Sequence, residues 1–244
     1  MSIQNILFDF YGTLAGIHTD ESRKELWRCL SVWYQSHGAA YTPLQLRRDY
    51  RQSVQEEKRL ASARHPQYTA LDIRIESVFE RLYAGRDVHA SSDVIAETAL
   101  FFRTLSRAHI RLYPGVRAML ARLHKEGRRC YLLTNAQAAF TLPELRLLEI
   151  SDCFDGCMIS SQQECAKPDP HFFQAALDAF GLDKKDTIMA GNDPRTDIAG
   201  ANAFGIDSVY IHSDLSPEWT GTAGSTYTVL DGDIGKQEKL LLKL

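Results

Sequence analysis

Excess charge of either sign is absent from this 244-residue chain, in which 28 basic side chains face 31 acidic ones for a formal −3. That near-balance gives no reason to propose nucleic acid or an anionic membrane as a partner. Long apolar runs are absent too, since no stretch approaches the roughly 20 residues of a membrane-spanning helix. The opening Met1-Ser2-Ile3-Gln4-Asn5 lacks the basic segment and apolar run of an export signal. Cysteine is scarce and odd in number, with five at positions 29, 130, 153, 157 and 165. Without an export signal these read as reduced thiols, and a cytoplasmic protein is expected. Cys153 and Cys157 have no second Cys or His pair to complete a zinc site, and the eight His residues show no ligand spacing. Internal repeats and low-complexity segments are lacking as well.

A hydrophobic content of 44% is enough for a full core and an inserted second unit. Two textures divide the chain. From about Glu21 to Arg111 apolar residues recur three and four apart, as in Glu25 to Tyr34, Ile73 to Tyr83 and Val94 to Leu105. That spacing predicts amphipathic helices, separated by polar stretches such as Ser62-Ala63-Arg64-His65-Pro66. Trp27, Trp33, Tyr34, Phe101 and Phe102 read as packing within this helical region. From Pro114 onward strands and helices alternate. Strands are expected at Cys130–Leu133, Cys157–Ser160, Thr187–Ala190 and Asp207–Ile211, with an edge strand at Tyr227–Leu230. Helices are expected at Val116–Glu126, Thr141–Leu148, Pro170–Phe180 and Thr196–Phe204. Repeated βα units imply an α/β fold, a Rossmann-like parallel sheet with helices on both faces. The apolar Ile6-Leu7-Phe8 belongs to the same sheet, so the helical region is an insertion after the first strand.

Open sheets of this kind bind ligands at the carboxyl ends of their strands. The first strand ends in Asp9-Phe10-Tyr11-Gly12-Thr13-Leu14, which offers a carboxylate nucleophile followed by a glycine turn. Cys130–Leu133 runs into Thr134-Asn135, which is a phosphate-binding turn or an ordinary helix N-cap. Lys167-Pro168-Asp169-Pro170 follows the next strand, and Thr187–Ala190 runs into Gly191-Asn192-Asp193-Pro194-Arg195-Thr196-Asp197. Asp193 and Asp197 either serve the site or favour the start of the helix behind them. Thr13 reads as a brace for the Asp9 turn, and Arg195 as a surface residue. A nucleophile, a hydroxyl, an ammonium and an acidic loop would then share one crevice.

In these four segments the chain resembles the haloacid dehalogenase superfamily of hydrolases, and the likeness runs over nearly the whole sequence. The resemblance implies a catalytic core of residues 1–16 and 109–244 and an all-helical cap domain of residues 17–108. It implies that Asp9 attacks the substrate and becomes a covalent aspartyl intermediate. Thr134 and the Asn135 N–H would bind the oxygens of the transferring group. Lys167 would hold Asp9 and neutralise the transition state. Asp197 would orient Lys167 or a metal-bound water. Mg²⁺ would be held by Asp9, the Tyr11 carbonyl and Asp193, an oxygen set suited to a hard cation. The substrate class implied is a small phosphorylated metabolite or nucleotide.

Two positions depart from the phosphatase pattern. Asn192 stands where many phosphatase members carry the first acid of the last loop, and Asp193 and Asp197, four apart, would keep enough negative charge for one Mg²⁺. Tyr11 stands where phosphatase members carry the aspartate that serves as acid and base, and a phenol of pKa near 10 is a poor base. General acid–base help is worth roughly 10²–10⁴-fold, so its loss slows turnover without abolishing attack. Dehalogenase members carry tyrosine here, which keeps a metal-independent 2-haloacid dehalogenase open as an alternative. In that reaction Asp9 displaces halide from carbon, and the leaving group takes no proton. A binding protein without turnover is a third reading. The aromatic helices of the insertion could offer a dimer face, so monomer and homodimer both stand.

Overall fold

The computed structural model describes residues 3–218 and 223–244. Eight strands are described: β1 (Asn5–Phe8), β2 (Ala15–Thr19), β3 (Arg107–Leu112), β4 (Arg129–Thr134), β5 (Gly156–Ile159), β6 (Thr187–Gly191), β7 (Asp207–Ile211) and β8 (Tyr227–Val229). Six form one sheet in the order β5-β4-β1-β6-β7-β8, with every neighbouring pair parallel. Counting these six alone along the chain, the order is 3-2-1-4-5-6, the Rossmann order, with its switch point between β1 and β6. Phe8 pairs with Leu132 on one side and Ala190 on the other. This register brings the residues after β1, β4 and β6 to the same edge.

Among the described residues ten α-helices accompany the strands: α1 (Lys24–Ser36), α2 (Pro43–Arg64), α3 (Ile75–Ala84), α4 (Ser92–Ser106), α5 (Val116–Lys125), α6 (Ala138–Leu147), α7 (Ser160–Gln163), α8 (Pro170–Phe180), α9 (Ala199–Phe204) and α10 (Ile234–Lys243). Side chains alternate across the sheet, and two hydrophobic layers result. Ile6, Phe8 and Leu132 pack with Met119 and Leu123 of α5 and Leu241 of α10. Leu7, Leu133 and Met189 pack with Phe172 and Phe173 of α8 and Phe204 at the end of α9. A third cluster belongs to α1–α4 and holds Trp27, Tyr34, Tyr50, Phe79, Tyr83 and Phe102, with Phe140 of α6 reaching into it. Trp33 and Phe101 stack on its flank, with centroids 4.8 Å apart.

Several elements differ from the sequence expectation. Ser62 to Arg64 are the end of the 22-residue α2, not a polar connection. The helix begins on a signal that was present, a Thr42 cap reciprocated by Gln45 with Pro43 behind it. Its buried stripe is Leu46, Tyr50, Ser53, Glu57 and Ala61, so only two large apolar residues mark its inner face. Strands β2 and β3 form an antiparallel ribbon that straddles both edges of the insertion. The expected helix over Thr196–Phe204 is a wide π-type turn at Pro194–Ile198 followed by α9. Helix α10 lay outside the expectation and packs beside α5.

Candidate active site

Asp9 follows the last residue of β1, and its N–H donates to the Ala190 carbonyl at 2.9 Å, which locks it to β6. The chain then turns sharply. Gly12 has φ of +88°, and a Cβ there would overlap the Asn192 side chain. Thr13, one turn on, donates to Asp9 Oδ2 at 3.3 Å and to Asn192 Oδ1 at 3.2 Å. Thr13 thus braces the Asp9 turn and joins it to the acidic loop.

Lys167 lies almost wholly inside the protein, at 2% exposure. Its Nζ stands 2.8 Å from Asp9 Oδ1 and 2.7 Å from Asp197 Oδ1, and it donates to the Leu133 carbonyl at 2.7 Å. Its backbone is gripped by Asn135, which accepts from the Lys167 N–H and donates to the Lys167 carbonyl, each at 2.8 Å. The Asn135 side chain therefore fixes the loop that carries the ammonium. Thr134 donates its hydroxyl to Asp9 Oδ1 at 3.2 Å, so it holds the carboxylate as well.

Burial disfavours the Lys167 cation, but the Asp197 and Asp9 carboxylates outweigh it and raise its pKa. Asp197 is pushed up to about 6, by burial first, with Lys167 pulling it down and Asp9 pushing it up. Its Oδ2 accepts the Asp193 N–H at 2.9 Å, which shapes the loop entering the π-type turn. Gly191 is required beside it, because a Cβ would overlap the Asp197 carboxyl group. Asp193 accepts from the Arg195 N–H at 2.8 Å and stays partly exposed, while Arg195 reaches into solvent.

Asp9, Tyr11, Asn135, Lys167, Asn192, Asp193, Thr196 and Asp197 border one cavity of about 210 Å³, whose outer wall is Leu215 and Pro217 from the loop after β7. Among the described residues, no three His, Cys, Asp or Glu side chains are grouped to hold an ion alone. The cavity nonetheless gathers three carboxylates against one buried ammonium, and its donors are hard oxygens. A cation that keeps several waters and takes one or two carboxylates fits such a set.

Tyr11 is placed differently from the other motif residues. Its hydroxyl donates to Glu144 Oε2 at 2.5 Å and stands 3.1 Å from Thr141 Oγ1, both on α6. Burial, then the Glu144 charge, raises its pKa well above that of a free phenol. Glu144 also accepts from Arg103 Nε of α4 at 2.7 Å and from Arg107 Nη1 of β3 at 2.8 Å. Burial would raise the Glu144 pKa, but these donors, Arg103 foremost, bring it below the ordinary value.

The insertion also grips the lysine loop. Thr69 donates its N–H and hydroxyl to Asp169 Oδ2 at 2.5 and 3.0 Å, and the Ala166 N–H donates to the Ala70 carbonyl at 3.1 Å. Leu71 forms an antiparallel bridge with Cys165, and Asp72 accepts from Ser160 at 2.5 Å and Gln137 at 3.0 Å. Glu144, Arg103, Arg107, Asp72 and Asp169 had no functional reading in sequence. Asn192, read there as a departure from the acidic pattern of its loop, accepts from the Thr13 hydroxyl.

A haloacid dehalogenase-like hydrolase family model matches residues 3–205. The chain belongs to this family. It is 34% identical over 118 residues to the phosphoserine phosphatase of Thermus thermophilus, covering 48% of this chain and 47% of that one. It is 30% identical over 156 residues to the glyceraldehyde 3-phosphate phosphatase of Pyrococcus furiosus, covering 62% and 65%. A phosphoglycolate phosphatase of Nitrosospira multiformis is 38% identical over 136 residues, covering 54% and 60%. The matched segments thus span between about half and two thirds of these curated relatives. The same fold recurs in the solved 2-haloacid dehalogenase of Pseudomonas syringae, with a TM-score of 0.68, 21% identity and 99% coverage of both chains. It recurs in a phosphatase of the family from Thermococcus onnurineus, with a TM-score of 0.60, 15% identity and 98% coverage of both. Among the described residues no helix is long and apolar enough to cross a membrane.

Proposed function

We propose that this hydrolase is a phosphomonoesterase acting on a small phosphorylated metabolite or nucleotide, with Asp9 as nucleophile. The observation that carries the reading is the hold on the Asp9 carboxylate. Oδ1 is engaged by Lys167 and Thr134 and Oδ2 by Thr13, beside a cavity rich in oxygen donors. The names of the relatives favour phosphate esters as the substrate class.

In the proposed reaction an Asp9 oxygen bonds to phosphorus as the bond from phosphorus to the ester oxygen breaks, giving an aspartyl phosphate and an alkoxide that takes its proton from water. Water then attacks phosphorus, gives up a proton to solvent, restores the Asp9 carboxylate and releases inorganic phosphate. Lys167 neutralises charge on the phosphoryl oxygens, while Asp197 holds its ammonium in line. Asn135 keeps that ammonium in place through the Lys167 backbone. Asp9, the Tyr11 carbonyl and Asp193 would hold Mg²⁺, which supplies charge neutralisation on the phosphoryl group when bound. The α1–α4 unit would act as the cap, closing to exclude bulk water.

One observation favours a second reading. The Tyr11 hydroxyl is committed to Glu144, so the residue at this position does not offer its proton to the leaving oxygen of a phosphate ester. Displacement of halide from a 2-haloacid needs no such proton.

A panel of phosphomonoesters assayed with Mg²⁺ and with EDTA, alongside 2-chloropropionate, separates the two. Phosphate release that stops in EDTA is expected. Halide release indifferent to EDTA overturns the phosphatase reading. In either chemistry Asp9→Asn should lower turnover on the order of 10⁴-fold or more, and near wild-type activity would remove Asp9 from the nucleophile role.

A further inference from the structure

We infer that Tyr11 is a positioning residue that ties the nucleophile turn to the cap through Glu144, and that it takes no part in proton transfer to or from the substrate. The inference rests on reading Asp9 as the nucleophile. Four elements meet on the Glu144 carboxylate, which is 1% exposed. Tyr11 comes from the turn between Asp9 and Gly12, and Arg103 from cap helix α4. Arg107 opens β3, the strand by which the chain returns to the core, and Glu144 itself stands on α6. Arg103 binds both carboxylate oxygens, Oε1 at 2.7 Å and Oε2 at 3.2 Å. Its guanidinium also lies 5.0 Å from the Phe140 ring centroid and 5.8 Å from that of Tyr11.

This geometry does not suit an acid or a base. The phenol keeps its one proton and donates it to an ionised carboxylate, so it offers neither a basic oxygen to take a proton from substrate nor a free proton to give. Giving that proton to a leaving group would place a phenolate against the Glu144 charge, in a site where like charges are poorly screened. What the geometry does suit is transmission. A shift of α4 moves Arg103, which alters the hold of Glu144 on the Tyr11 hydroxyl. Tyr11 is two residues from the attacking carboxylate, in a turn already fixed by Gly12 and Thr13. Small displacements of a nucleophile carry large rate effects.

A double-mutant cycle of Tyr11→Phe and Arg103→Lys on the full chain tests this. The first readout is hydrogen exchange of the Phe10–Leu14 turn, which needs no substrate. The second is the pH dependence of kcat on whichever substrate class proves active. Both single variants should speed exchange in the turn, and the double variant should be no faster than the faster single. Tyr11→Phe should lower kcat about 10-fold with KM changed less than about 3-fold, and keep both limbs of the pH profile. A lost limb would make Tyr11 an acid or base and overturn the inference. Exchange effects that multiply in the double variant would overturn it too, since the two residues would then act independently. Failure of Asp9 as nucleophile would appear instead in Asp9→Asn and leave the exchange cycle unaffected.

Discussion

Asp197 and Glu144 are both carboxylates at 1% exposure, and both pair with a cation at 2.7 Å. Their acidities move in opposite directions. Asp197 is raised to about 6, first by burial and then by the Asp9 carboxylate, with which it shares its one ammonium. Glu144 is lowered despite burial, because two guanidinium groups, Arg103 foremost, and a phenol donate to it. Burial alone does not decide the charge state of a carboxylate; the ratio of donors to competing acids does. The region around Asp197 carries more negative than positive charge, with Asp9, Asp193 and Asp197 against one ammonium. The region around Glu144 is neutralised from within, as a structural tie needs.

The strongest way to break this contrast is to remove Lys167. Lys167→Met leaves Asp9 and Asp197 facing each other with no ammonium between them. Unfolding in urea should show a loss of about 3–5 kcal/mol at pH 7, together with loss of turnover. A variant as stable as wild type would mean the triad is not a buried ion pair. Glu144→Gln attacks the other side and strands Arg103 and Arg107, which retain some solvent access. A smaller loss of about 2–3 kcal/mol is expected in the same measurement. Equal losses in the two variants would erase the distinction drawn between the sites.

The pH dependence of melting sharpens the comparison with the smallest effect. Asp197 holds its proton more tightly when folded, so its contribution is full below the ordinary value of 3.8 and is lost as the pH rises through about 6. Glu144 binds its proton less tightly when folded. Its contribution is full above the ordinary 4.5 and is lost as the pH falls below that value. In metal-free buffer, Asp197→Asn should remove part of the decline between pH 4 and 6, and Glu144→Gln part of the loss on the acid side. Unchanged slopes in both variants would contradict the opposed shifts.

The parallel sheet and the residues at its strand ends were legible because each strand is a short apolar run closed by a polar turn. Asp9, Thr134, Asp193 and Asp197 sit at or just beyond those ends, and the β1–β4 and β1–β6 pairings bring the ends together, while Lys167 reaches them from the loop between α7 and α8. Helix α2 was less legible because Ser53 and Glu57 stand on its inner face, with Glu57 paired to Arg81 across to α3. The β2–β3 ribbon joins segments separated by the whole insertion, so no local pattern announces it. The Tyr11–Glu144–Arg103 cluster is long-range in the same way. Each member reads alone as an ordinary residue of its own element, and only the fold makes them neighbours. Asn135 could be read as a helix cap, whereas its amide is spent on the Lys167 backbone.

The pairing of β1 also bears on the order in which the molecule assembles. Asn5 finds its partners only at Arg129 and Thr187, so the first strand made is among the last to be satisfied. The α1–α4 unit leaves the ribosome well before either partner, and most of its aromatic cluster is contained within it. Segments made first and rich in local contacts tend to fold as units during synthesis. Ribosome-bound chains halted soon after Leu112 should therefore protect α2 and α3 from protease while β1 is still cut; uniform cleavage would argue for folding only after release. The unit inserted into the core would then be the nucleus around which the core closes, with Phe140 the first core residue to join it.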